Sequence, residues 1–154
     1  MILTSADKVE ILTSSAADTH VLCEYVDRVI SADVEVSSQL HNDETTTIVS
    51  ATTTTVLTAP AQNIRRQLLT MSIANVHASL TQTVTIKKDE SATDTTWFIA
   101  TLYPGESLLY HHRMGWQKFN TGGLPVVSMP DVRAVSSILM APHFSTAGLT
   151  SVKT

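Results

Sequence analysis

Across residues 45–119, apolar residues alternate with Thr, Ser and charged residues in short runs broken by Pro, Gly and Asn. A period of two marks β-strands with one buried face. Residues 45–49 and 53–57 read as a Thr-rich pair of extended segments. Ala59-Pro60-Ala61 breaks the pattern, because proline cannot donate to a ladder. The next strand carries Leu69, Met71 and Ile73 on one face and Thr70, Ser72 and Ala74 on the other. In residues 82–87, Val84 and Ile86 point one way, and Lys88-Asp89-Glu90-Ser91 reads as a charged hairpin tip. Residues 97–103 set Phe98, Ala100 and Leu102 against Trp97, Ile99 and Tyr103, so both faces are partly apolar. Pro104-Gly105 suits the two central positions of a type II turn. The alternation predicts a return strand with Leu108 and Tyr110, then a last strand over residues 115–119 closed by Asn120-Thr121-Gly122-Gly123.

The earlier part of the chain follows the same rule less cleanly. Thr4 or Ser5 is placed to cap a single helical turn before a strand at residues 9–12. Residues 14–18 are small and polar, as in a turn. Val21, Cys23 and Tyr25 alternate as on a strand, although Val21/Leu22, Tyr25/Val26 and Val29 also fit a helical stripe; β-branched and aromatic content favours the strand. A further run through Val34 and Val36 is expected to end in a turn at His41-Asn42-Asp43-Glu44. Beyond Leu124, Pro125, Pro130 and Pro142 prevent a long regular element. That segment is too apolar for a free linker and needs a surface to lie on. The pattern predicts an all-β, antiparallel β-sandwich, jelly-roll-like and of about eight strands, over residues 1–123. Residues 124–154 are expected to form an extended C-terminal arm.

Composition sharpens this picture. The 154 residues suit one domain; 43% are apolar, but only 16% are charged, with 23 Thr in place of the missing charges. Such a surface suits a protein covered by neighbours. The net charge of −4 is unevenly divided. Residues 1–60 carry nine acids against Lys8 and Arg28 (−7), and residues 61–154 carry five acids against eight bases (+3). One copy's acidic half can therefore meet another's basic half, or the two can be faces of one domain. No patch is basic enough for nucleic acid. Cys23 is the only cysteine, which excludes an intrachain disulfide and suits a small buried apolar residue. No basic n-region precedes an apolar run and no apolar stretch is long enough to span a bilayer, so neither a membrane nor an export route is expected.

Candidate chemistry is sparse. Adjacent His111 and His112 on a strand point to opposite faces and cannot easily share a metal ion. Asp89, Glu90 and Asp94 surround a turn but lack the spacing of a dedicated calcium loop. Neither a nucleophile elbow nor a glycine-rich phosphate loop is present, so no catalytic residue, metal ligand or cofactor site is assigned. Arg65 and Arg66 precede a strand and are candidates to meet a neighbour's acidic half. Trp97, Tyr103, Tyr110 and Trp116 gather around the Pro-Gly turn; core packing or a subunit interface is expected, and a carbohydrate-binding surface is the rival.

Several segments together resemble small β-sandwich structural proteins of tailed bacteriophage particles. They are the run Ala51-Thr52-Thr53-Thr54-Thr55-Val56-Leu57-Thr58-Ala59-Pro60, Arg65-Arg66, Ser72-Ile73-Ala74-Asn75, Thr83-Val84-Thr85-Ile86, and Thr101-Leu102-Tyr103-Pro104-Gly105-Glu106-Ser107-Leu108. The likeness covers residues 1–120 and transfers no catalytic residue. It implies a non-enzymatic virion component made in the host cytoplasm, either a head decoration subunit or a tail adaptor or fibre-anchoring piece. The partners expected are further copies of the chain, as a homotrimer, and other virion proteins such as the major capsid protein. Arg65, Arg66, Trp97, Tyr103, Trp116, Pro125, Pro130 and Pro142 are the candidate contact residues.

Overall fold

In the computed structural model, residues 1–32, 34–90 and 93–126 are described, without the side chains of residues 42–44. The fold is an all-β antiparallel sandwich. The described residues form ten strands: β1 (Ile2–Leu3), β2 (Asp7–Thr13), β3 (Thr19–Ser31), β4 (Val34–Ile48), β5 (Thr53–Leu57), β6 (Ile64–Asn75), β7 (Gln82–Glu90), β8 (Thr93–Leu102), β9 (Ser107–His111) and β10 (Gly115–Phe119). One sheet has the order β10-β9-β6-β3-β4, with β1 also on β6; the other has the order β5-β2-β7-β8. The ribbon β2–β3 is paired along its length by β7 and β6, first in one sheet and then in the other. This wrapping gives the sandwich its jelly-roll character.

Alternation explains the core. Val9, Ile11, Val84 and Ile86 face inward from one sheet, and Val21, Cys23, Met71, Ile73 and Leu108 from the other, all essentially without exposure. The strand reading of residues 20–29 holds, because the stripe that also fits a helix is here one face of β3. At the sandwich end, buried Asn75 and Gln82 satisfy backbone groups that the sheets leave open. The Asn75 amide donates to the carbonyls of Leu80 (2.8 Å) and Leu102 (2.9 Å). Gln82 accepts from the Ser15 amide at 2.9 Å. Both are polar, and burial without these bonds would cost each of them heavily.

Bulges account for several departures from the expected faces. Between Glu24 and Tyr25, β6 carries one extra residue, since Glu24 pairs with Thr70 and Tyr25 with Leu68. The phase switches at Leu69, so Leu68 and Arg66 point inward instead of Leu69. On the other side of β3, Cys23 pairs with Glu44 and Tyr25 with His41. The expected turn at residues 41–44 is thus a bulge inside the continuous strand β4. A third bulge sets Ile86 against Phe98 and Lys87 against Thr96, leaving Trp97 as the extra residue. It turns Trp97 to the same side as Phe98, against the core.

Three further expectations are corrected. No helical turn precedes β2: the Thr4 amide and hydroxyl donate to Asp7 Oδ2 at 2.7 and 2.9 Å, closing a tight turn between β1 and β2. Lys88, Asp89 and Glu90 lie on β7 itself, because the β7–β8 ladder runs on to Glu90 opposite Thr93. The Pro104-Gly105 turn joins two sheets, not two strands of a hairpin: β8 pairs with β7, whereas β9 pairs with β6 and β10. Gly105 has φ +78° and Glu106 N–H reaches the Tyr103 carbonyl at 3.0 Å, as a type II turn requires. The Gly105 amide donates to the Asn75 carbonyl at 2.8 Å, which fixes the crossing to the end of β6.

Candidate assembly surface

β3 and β4 form a long hairpin whose far half outruns the second sheet. All seven residues 34–40 are exposed, so neither face of this part of β4 is covered. Val34, Val36 and Leu40 are 62, 59 and 56% exposed, with Val29 opposite at 37%. These are strand formers by sequence and apolar by chemistry, with no layer to bury them.

The hairpin is anchored at its base by a compact polar stack. Arg66 donates from Nε and Nη2 to the two carboxylate oxygens of Asp27, each at 2.8 Å, and from Nη1 to the Thr58 carbonyl at 2.9 Å. Its guanidinium lies 4.0 Å over the Tyr25 ring, and that ring stacks on His41 at 4.8 Å and 14°. His41 Nε2 stands 3.6 Å from Asp27 Oδ2. Bidentate pairing and a stacked aromatic suit arginine's planar fork, and removing one partner would strand a buried charge. Arg66, expected as a contact residue, is therefore an internal strut, 8% exposed.

Arg65, the next residue, is exposed and lines a cleft of about 320 Å³ between the β1–β2 turn, the β3–β4 hairpin and the start of β6. Ile30 and Ile64 provide its apolar surface; Thr4, Ser5, Asn63 and Arg65 rim it. Ala32 and Asn63, both at this cleft, hold positive φ angles of 49° and 65°. The residue opposite Arg65 in the ladder is Arg28, whose charge is met by Glu35 at 3.0 Å. Arg65 has no ion pair among the described residues.

The aromatic candidates divide. Trp97 packs edge-on against Tyr110 (4.6 Å) and Trp116 (5.1 Å), and Phe98 stacks on Trp116 at 5.0 Å. Trp116 is buried in the core, and Trp97 packs against that core half-buried. Tyr103 stays 58% exposed, with Lys118 Nζ 5.3 Å from its ring. Pro125 is exposed and bridges back to Phe119, while Val126 N–H donates to the Lys118 carbonyl at 2.7 Å. The chain thus leaves the sandwich along the free edge of β10. Pro130, Pro142 and the remainder of the predicted arm lie outside the described residues.

Several other charged groups pair within the subunit. Lys8 bridges Glu10 (2.6 Å) and Asp89 (3.0 Å), Lys88 reaches Asp7 (3.4 Å) and Glu90 (2.6 Å), and Lys87 reaches Asp94 (3.1 Å). Burial alone would raise the Asp7 carboxyl; the Thr4 amide and hydroxyl, with Lys88, outweigh it and hold that group below its ordinary value. Lys88–Asp7 and Arg66–Asp27 join acids of the first half to bases of the second inside one sandwich, and Lys8–Asp89 joins the halves the other way round. Carboxylates from Glu10, Asp89 and Asp94 do converge within 4.8 Å, with Glu10 taking the place expected of Glu90. Lysine ammonium groups already neutralise the cluster. His111 and His112 were expected on opposite faces, but β9 ends at His111, and the two rings meet at 4.7 Å in the turn before β10.

No protein-family model, curated protein sequence or solved structure matches this chain.

Proposed function

We propose that this protein is a non-enzymatic structural subunit of a tailed-bacteriophage virion, a capsid decoration subunit that associates through its sheet surfaces and its C-terminal segment. The observation that carries the self-association part is the β3–β4 hairpin, which holds Val29, Val34, Val36 and Leu40 in water on a rigidly anchored strand pair. Exposed apolar side chains on a paired strand of this kind suit a docking face. The virion itself is inferred from the sequence segments that resemble phage β-sandwich proteins. Within that setting the decoration role is taken over a tail adaptor or fibre anchor because the β5-β2-β7-β8 sheet turns Thr53, Thr55, Thr83, Thr85 and Thr101 to one outer face suited to repeated equivalent contacts.

The test is a copy count. Quantitative mass spectrometry of purified particles should find the chain in a fixed, high ratio to the major capsid protein. A handful of copies per particle would move it to the tail, and absence from purified particles would end the virion reading.

A further inference from the structure

Resting on the reading that this chain associates with copies of itself, we infer that the cleft beside Arg65 receives residues 129–132 of a neighbouring copy, with Asp131 paired to Arg65. The cleft offers one cation without an ion pair among the described residues, two isoleucines and a polar rim. Its occupant should therefore bring one acid flanked by apolar side chains. Residues 127–154 contain a single acidic side chain, Asp131, set in Met129-Pro130-Asp131-Val132. Like charge at the Arg65–Arg28 pair is unfavourable, and Glu35 offsets only Arg28, so an incoming carboxylate relieves the repulsion.

Chain length assigns the occupant to a neighbour. Val126 bonds to Lys118, which lies level with Leu108 and then Ile73 across β10, β9 and β6. Arg65 is eight positions further along β6, with one of them taken up by the bulge. With strands ~4.8 Å apart and ~3.4 Å per residue, the separation is ~28 Å, whereas five residues at full stretch span ~18 Å and their end side chains add ~10 Å. A copy's own Asp131 meets its own Arg65 only with every bond straight, which leaves no chain to seat Met129 or Val132 against Ile30 and Ile64. A neighbour's segment carries no such constraint.

Sedimentation velocity and charge reversal in the full-length chain test this. The wild type should be oligomeric at about 100 μM; Arg65→Glu and Asp131→Arg should each weaken association by about tenfold or more, and the double variant should recover it. Arg65 is exposed, so its reversal should not lower the thermal unfolding midpoint of the dilute monomer. A 1:1 mixture of Asn63→Cys chains with Val132→Cys chains should form a disulfide between copies under mild oxidation. If the wild type oligomerises but the reversals do nothing, the cleft pairing is wrong and self-association stands. A disulfide formed only within one chain carrying both cysteines assigns the segment to its own cleft and overturns the exchange. A wild type that stays monomeric defeats both readings.

Discussion

The near and far halves of the β3–β4 hairpin are built from similar sequence and meet different fates. Val21, Cys23 and Tyr25 recur at every second position and are buried; Val34, Val36 and Leu40 also sit at even spacing and stand in water. Local propensity and period are alike in the two halves. What differs is cover: the near half contributes to the core between the two sheets, whereas every residue from 34 to 40 is exposed. Alternation reports which residues share a face, and burial depends on a second layer that the alternating strand does not encode.

The sharpest way to probe this contrast is to remove volume where the second layer exists. Ile73→Ala should cost about 3–4 kcal/mol of unfolding free energy by urea titration, because the fully buried site leaves a cavity between two sheets. Arg66→Ala at the boundary between the halves should cost about 3 kcal/mol, chiefly by leaving Asp27 buried without its partner. Its amide-exchange signature should be a selective loss of protection along β3 and β4. A stability loss spread evenly over both sheets would show that the hairpin is not anchored there.

Gly105→Ala should cost about 1–2 kcal/mol, since φ +78° disfavours any side chain and the new Cβ would meet Thr121 Cγ2 at 2.7 Å. Adding Thr121→Ser should return only the steric part. Acid should act at the β1–β2 turn. The Asp7 carboxyl is lowered in the fold, so its contribution is present above its ordinary value of 3.8 and is lost as pH falls through the lower folded value. Asp7→Asn should flatten that limb of the stability–pH curve measured by thermal melts. The smallest effect belongs to the far half. Val34→Ser should change monomer stability by no more than about 0.5 kcal/mol, and a larger loss would mean that the residue is covered within its own subunit.

The fold class was legible because period-two alternation survives in most strands and the Pro and Gly breaks fall between them. The faces of Leu69 and Trp97 were not legible. A bulge inserts one residue, inverts the alternation beyond it and leaves no mark in residue type. The Arg65–Arg66 pair was noticed as a contact candidate, yet the two residues part company in space. The bulge at Leu69 turns Arg66 into the sandwich and leaves Arg65 outside it. The cleft that Arg65 shares with Thr4 and Ala32 joins three distant stretches of chain, and no local pattern announces such a meeting. Likewise, the charge imbalance between the halves read as a possible contact between copies, but β2 lies beside β7, so Lys8, Asp89, Asp7 and Lys88 neutralise one another internally.

By itself, the amino-acid order determined that this chain is a β-sandwich: apolar residues recur at the strand period, turn residues break it, and one cysteine excludes disulfide stapling. Only the tertiary structure decided which strands cross between sheets, so that Pro104-Gly105 became a corner and not a hairpin tip. It alone decided that Trp116 is core while Tyr103 faces water, and that half of one hairpin extends past its cover. The physical reason is range. Alternation and turn chemistry act between residues adjacent in sequence, whereas register, layer overlap and charge pairing depend on where remote strands come to rest.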